Sequence, residues 1–214
     1  MLTPTLIEPL ALLAALLGGY LLGSVSFAVV VSRLFGLADP RSYGSGNPGA
    51  TNVLRSGSKA AALLTLLGDA LKGALAVWLV RHFGPQFGLG EATAAWAGAA
   101  AFIGHLYPVF FRFQGGKGVA TFLGVLWLIN PWLGLAACGL WLLVAVLFRY
   151  SSAASICAAF VSPFVQAAIG GIDGVLAAVA LMALLLVLRH RQNIANLMAG
   201  NERKIGAKSA GGAR

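Results

Sequence analysis

The segment Tyr43-Gly44-Ser45-Gly46-Asn47-Pro48-Gly49-Ala50-Thr51-Asn52-Val53-Leu54-Arg55 sets three glycines among short hydrogen-bonding side chains. A backbone with few Cβ atoms can turn several N–H groups toward one point and form an anion-binding nest. Ser45, Asn47, Thr51 and Asn52 add side-chain donors, and the Arg55 guanidinium suits a two-pronged contact with phosphate. An ordinary Gly/Asn/Ser turn uses the same residue types. The length of this connection beside the short ones elsewhere in the chain favours a functional loop. A second segment, Gln114-Gly115-Gly116-Lys117-Gly118-Val119-Ala120-Thr121, runs into an apolar helix. There Gly115, Gly116 and Gly118 offer backbone N–H groups, and the helix dipole and the Lys117 ammonium can converge on the same phosphate. It is not a nucleotide-hydrolysing loop. Phe111 stands where that pattern needs its first glycine, and Gly118 follows the lysine where Ser or Thr belongs.

A third polar segment, Arg189-His190-Arg191-Gln192-Asn193-Ile194 with Asn196, Gly200 and Glu202, closes the last apolar run. Its cations suit an interface as well as a site, and His190 is a candidate functional residue. Ser155 lies inside an apolar run, where a helical Ser ordinarily bonds its own backbone. Asp69 and Lys72 stand i, i+3 inside another run. Charges there are costly unless paired or turned to a polar cavity, so a structural ion pair and a direct role both remain open. His82 and His105 read as structural.

Several chemistries lack their residues. No two carboxylates stand together among the polar segments, which leaves paired acid–base chemistry and metal-assisted hydrolysis without ligands or bases. No metal site and no cofactor are expected. Cys138 and Cys157 show no metal-ligand spacing and no disulfide framework. No His is followed five residues later by Asp, and no G-x-S-x-G elbow occurs.

The elements that must position these segments are membrane helices. Of 214 residues, 59% are hydrophobic and 10% charged, with a mean hydropathy of +0.86. A soluble domain carries about 25% charged residues, so a soluble enzyme, a disulfide scaffold and a disordered regulator are excluded. The apolar runs predict an all-α, polytopic integral membrane protein with seven transmembrane helices: 6–34, 60–80, 92–110, 119–129, 132–148, 152–169 and 174–188. The fourth is short for a bilayer crossing and is either a thin span or a re-entrant segment. No Lys or Arg precedes the first run, so it reads as a retained span rather than a cleaved signal. Thirteen of the 15 Lys and Arg residues fall on one side of this arrangement. That asymmetry places the N-terminus outside and the three polar segments and the C-terminus in the cytoplasm. It also accounts for the net charge of +9 without nucleic acid.

Taken together, Ser45–Asn52 with Arg55, Gly115–Thr121, and His190-Arg191-x-Asn193-Ile194 with Gly200 and Glu202 resemble the bacterial acyl-phosphate:glycerol-3-phosphate acyltransferase family, PlsY. The likeness covers nearly the whole chain. It implies one transmembrane acyltransferase domain over residues 1–206 in the bacterial inner membrane; the low-complexity composition of 207–214 reads as a disordered cytoplasmic tail. The implied reaction moves a fatty acyl group from acyl phosphate to the 1-hydroxyl of sn-glycerol 3-phosphate, giving lysophosphatidic acid and phosphate in phospholipid biosynthesis. By family analogy Ser45, Arg55, Lys117, Ser155, His190 and Asn193 line the site and Glu202 supports the third segment. The resemblance further implies no metal, no cofactor and no acyl-CoA, membrane lipids as surroundings, and a partner enzyme, PlsX, that makes the acyl phosphate. With no nucleophile–His–carboxylate triad, direct attack by the acceptor hydroxyl is expected, with His190 or a substrate phosphate easing proton removal. A transporter binding a phosphorylated solute is the rival reading, and it would favour a site near the midplane of a repeated architecture.

Overall fold

A chain this apolar has to satisfy its backbone polar groups internally, and a helix does so without a neighbour. The computed structural model describes residues 4–206, and among these every regular element is helical. In chain order these are α1 (Pro4–Gly23), α2 (Phe27–Leu34), α3 (Ala50–Val53), α4 (Lys59–Phe83), α5 (Glu91–Leu106), α6 (Val119–Ile129), α7 (Pro131–Phe148), α8 (Ser151–Gly170), α9 (Gly174–Arg189) and α10 (Arg191–Met198). The expected tail, 207–214, lies outside the described residues.

Four of these helices (α4, α5 with its short extension to Phe111, α7 and α8) are long and apolar enough to cross a membrane alone. Two bent pairs, α1 with α2 and α9 with α10, reach that length together. With the 11-residue α6 they make up the seven expected segments. The first span differs from expectation by being broken. α1 and α2 meet at 41°, with Ser24, Val25 and Ser26 between them. The carbonyl freed at Val25 accepts a hydrogen bond from Lys72 Nζ at 2.8 Å, which makes the break tolerable away from water. The last span differs too, because the third polar segment continues as α10 after a 54° bend.

Local sequence sets the helix starts. Ser58, Asn130 and Asp173 cap α4, α7 and α9 by accepting backbone N–H groups of Ala61, Trp132 and Leu176. Packing relies on small residues, as it does where no hydrophobic gradient drives helices together. α1 lies close enough to α5 that Cβ atoms at Gly19 and Gly23 would strike the Ala97 and Ala101 carbonyls.

α6 spans only about 16 Å at 1.5 Å per residue, roughly half of a hydrocarbon core. Its far end is closed by Arg81, which donates to the carbonyls of Leu128 and Ile129 and pairs with Glu91. Arg81 stands apart from the thirteen basic residues, and this capping accounts for its place. Its near end, at Gly118, starts beside the second glycine segment, between α4 and α7.

Candidate active site

The three polar segments meet at one end of the bundle, over a cavity of about 760 Å³. Ser45, Asn47, Thr51, Asn52, Arg55, Lys117, Gly118, Ser155, His190, Asn193 and Glu202 all line it. Lys117 Nζ donates to Asn193 Oδ1, and Asn193 Nδ2 donates to Glu202 Oε1 at 2.7 Å. The same carboxylate oxygen accepts from Ser152 Oγ at 2.6 Å. A lysine from the second segment is thus steered by an amide of the third, which a carboxylate orients in turn. Residues 202–206 line the cavity as well, fastened where Ile205 N–H donates to the Arg149 carbonyl at 2.6 Å.

Charge in the cavity is unbalanced. Arg55, Lys117, Arg203 and Lys204 line it, while Asp69 is already paired with Lys72, leaving Glu202 as the opposing carboxylate. Burial pushes the Lys117 ammonium below its ordinary pKa; Glu202 opposes the shift, while Arg189 and Arg55 add to it. Burial also lowers Arg55, with Arg203 adding repulsion. Such a pocket is suited to anions, which relieve both effects.

His190 caps α9 at the bend into α10, past the end of the apolar run at Leu188, and is 3% exposed. Its Nδ1 lies 2.8 Å from the Leu186 carbonyl, an atom that can only accept, so Nδ1 carries the proton. Burial lowers its pKa to about 4. The ring is therefore neutral near pH 7 and presents Nε2 as an acceptor. Ser155 Oγ donates to the Ser151 carbonyl at 2.7 Å, as a helical serine is expected to, and also accepts from Trp141 Nε1 at 3.0 Å.

Gly115 and Gly116 are placed differently from the anion cradle expected of them. Neither lines the cavity, and the Gly116 N–H is taken by the His105 carbonyl at 3.1 Å. A Cβ at Gly115 would strike that same carbonyl, and one at Gly116 would strike the His105 ring. Their carbonyls accept from Arg189, whose guanidinium also lies over the Tyr107 ring. Gly118 does line the cavity, at φ +83°, a backbone conformation that favours glycine. It exposes the first N–H groups of α6, which have no intrahelical partner. Asn52 also differs from a free donor. Its Oδ1 accepts from Ser45 N–H and Arg55 Nη1, and its Nδ2 donates to the Pro40 and Tyr43 carbonyls, so it staples the first loop together.

Reasoning from sequence missed Trp141 and Arg203, left Arg189 as a cation suited to an interface or a site, and read His105 as structural. Trp141 and Arg203 carry no signal beyond being aromatic or basic near a span end. Beyond the polar loops the cavity turns apolar. Leu63 and Leu66 of α4, Leu123 of α6, and Cys138, Trp141 and Leu142 of α7 form a slot over the start of the short helix.

A helical membrane bundle with a cationic pocket beside an apolar slot can hold a phosphorylated compound next to a lipid chain. The sequence matches the glycerol-3-phosphate acyltransferase family profile over residues 13–200. The chain is 60% identical to the glycerol-3-phosphate acyltransferase of Herminiimonas arsenicoxydans, across 90% of this chain and 94% of that one. It is 62% identical to that of Janthinobacterium sp. (strain Marseille), across 90% and 96%. Among solved structures it resembles PlsY (YgiH), an integral membrane glycerol 3-phosphate acyltransferase. The glycerol 3-phosphate form superposes with a TM-score of 0.84 at 38% identity, across 92% of this chain and 96% of that one. The lysophosphatidic acid form superposes at 0.82 and 37%. This chain belongs to the glycerol-3-phosphate acyltransferase family and is a multi-pass membrane enzyme.

Proposed function

We propose that the protein transfers a fatty acyl group from acyl phosphate to the 1-hydroxyl of glycerol 3-phosphate, releasing phosphate and lysophosphatidic acid. The observation that carries this is the lining of one cavity, which joins an excess of cations to an apolar slot. A donor with its chain in the slot between α4 and α7 sets its phosphate among the cations, where the acceptor's phosphate is also drawn. Arg55, Lys117 and the start of α6 hold the phosphates, with Ser45, Asn47 and Thr51 as further donors. Asn193 aims Lys117, Glu202 supports Asn193, and Ser155 stands beside the slot. Asn52 works through Arg55 and the loop.

The acceptor oxygen attacks the acyl carbon, a C–O ester bond forms, and the C–O bond to phosphate breaks. His190 Nε2 accepts a hydrogen bond from the attacking hydroxyl, and the proton leaves with the departing phosphate. A mixed anhydride has so good a leaving group that placement and positive charge supply most of what catalysis needs. No metal is invoked in this reading, and the carboxylates lining the cavity, Glu202 and Asp69, each have a protein partner. An enzyme of the PlsX class would supply the donor.

Purified protein is given glycerol 3-phosphate with either acyl phosphate or acyl-CoA, in the presence of EDTA, and phosphate release is followed. Turnover with acyl phosphate alone is the expected result; turnover only with acyl-CoA, or only after Mg²⁺ is restored, contradicts the reading. The site faces the cytoplasm of the bacterial inner membrane, with the N-terminus outside. Cysteines placed at Ser56 and Gly88 in a cysteine-free background should accordingly label from opposite sides.

A further inference from the structure

Asp69, Lys72 and His105 are 2%, 4% and 7% exposed, deep in a bundle where charge is costly. Asp69 Oδ1 lies 2.9 Å from Lys72 Nζ and 3.4 Å from His105 Nδ1. Each partner reaches onward to a different polar segment. Lys72 holds the Val25 carbonyl at the break of the first span, and α2 leads from there to the first glycine-rich loop. The His105 carbonyl takes the Gly116 N–H, and its ring fills the space over the Gly116 Cα. The Pro48 carbonyl, from the first loop, packs against the same glycine. Gly116 is therefore held between His105 and Pro48, one residue before Lys117.

We infer that Asp69, Lys72 and His105 form a positioning unit that keeps the two glycine-rich segments in register and thereby places Lys117 at the cavity wall. A buried ion pair is a poor source of stability, since apolar residues of similar volume often do as well. It does supply direction. The carboxylate lies 3.4 Å from the His105 ring, a charge contact without an aligned hydrogen bond, and it restrains the ring that fills the space over Gly116. An apolar side chain would fill the space without orienting anything. The role of Lys117 in turnover rests on the function proposed above; the ordering of its loop does not.

Asp69→Leu/Lys72→Met, His105→Ala and His105→Asn, made in the full-length protein, test this with two readouts. The double substitution removes both charges together and avoids leaving one unpaired. At wild-type thermal stability, amide hydrogen exchange across residues 114–118 should rise at least tenfold, with little change in the helices. Turnover should fall tenfold or more. His105→Asn can offer an amide N–H to Asp69 and should recover most of what His105→Ala loses on both readouts. A stable double variant with a protected loop and normal turnover overturns the inference. So does lost turnover with unchanged loop exchange, which would make the three residues substrate contacts. If the double variant does not fold, the His105 pair decides: wild-type loop exchange in His105→Ala overturns the inference. An inactive wild type would instead sink the acyl-transfer reading while loop exchange still decides this one.

Discussion

Two cavities of similar size open from this bundle, about 760 and 680 Å³, and α4 lines both. Towards its start α4 contributes Leu63, Leu66 and Asp69 to the first. Nearer its end it contributes Ala76, Leu79 and Phe83 to the second, where α1 supplies Ile7, Leu10 and Gly18. All residues lining the second are apolar or glycine. A groove of that kind at membrane depth offers van der Waals contact to a lipid tail but nothing to orient a reaction. The first adds four cations, a neutral histidine and hydrogen-bonded supports to a comparable apolar wall. Volume does not separate the two cavities. Convergent polar groups do.

The comparison is broken most sharply by removing charge from the first cavity. Lys117→Ala is expected to lower kcat/KM for glycerol 3-phosphate by one to two powers of ten, since a hydrogen bond to a charged group contributes about 1.5–3 kcal/mol. Arg55→Ala should fall in the same range, measured by initial rates on variants whose thermal stability matches wild type. Asn193→Ala should cost about tenfold or less, because it frees Lys117 without removing its charge. Trp141→Phe should cost only a few-fold, the worth of one neutral hydrogen bond to Ser155 at about 0.5–1.5 kcal/mol. The second cavity supplies the control. No atom lies within 4 Å of a Cβ built at Gly18. Gly18→Ala should therefore leave turnover within about twofold and raise helix stability slightly, by up to about 1 kcal/mol.

Much of this arrangement is legible in the residues. Hydropathy and the grouping of thirteen basic residues point to seven segments with three polar loops at one end. The convergence of Arg55, Lys117, His190, Asn193 and Glu202 follows once the loops share an end. The illegible parts have physical reasons. A glycine serves equally for approach to an anion and for close packing, so Gly115 and Gly116 read as a cradle although their neighbours are the His105 backbone and ring. Asn52 has the composition of a donor and the position of a staple. The break follows Gly23-Ser24, a pair that also occurs in unbroken, closely packed helices, and its compensation comes from Lys72, 47 residues away. α10 is too polar to show as an apolar run. His105 reads as an ordinary buried histidine because nothing in the linear order brings it to Asp69.

The account rests on one cavity with two chemically distinct halves, and calorimetry of glycerol 3-phosphate binding without donor tests it most directly. Wild-type protein should bind one equivalent. Lys117→Ala should weaken that binding by at least tenfold, whereas Leu66→Trp, which obstructs the apolar slot, should bind glycerol 3-phosphate as wild type does and lose turnover with acyl phosphate. Normal binding by a stable Lys117→Ala variant, or equal loss of binding in both variants, would contradict the division of the cavity into a phosphate end and an acyl end.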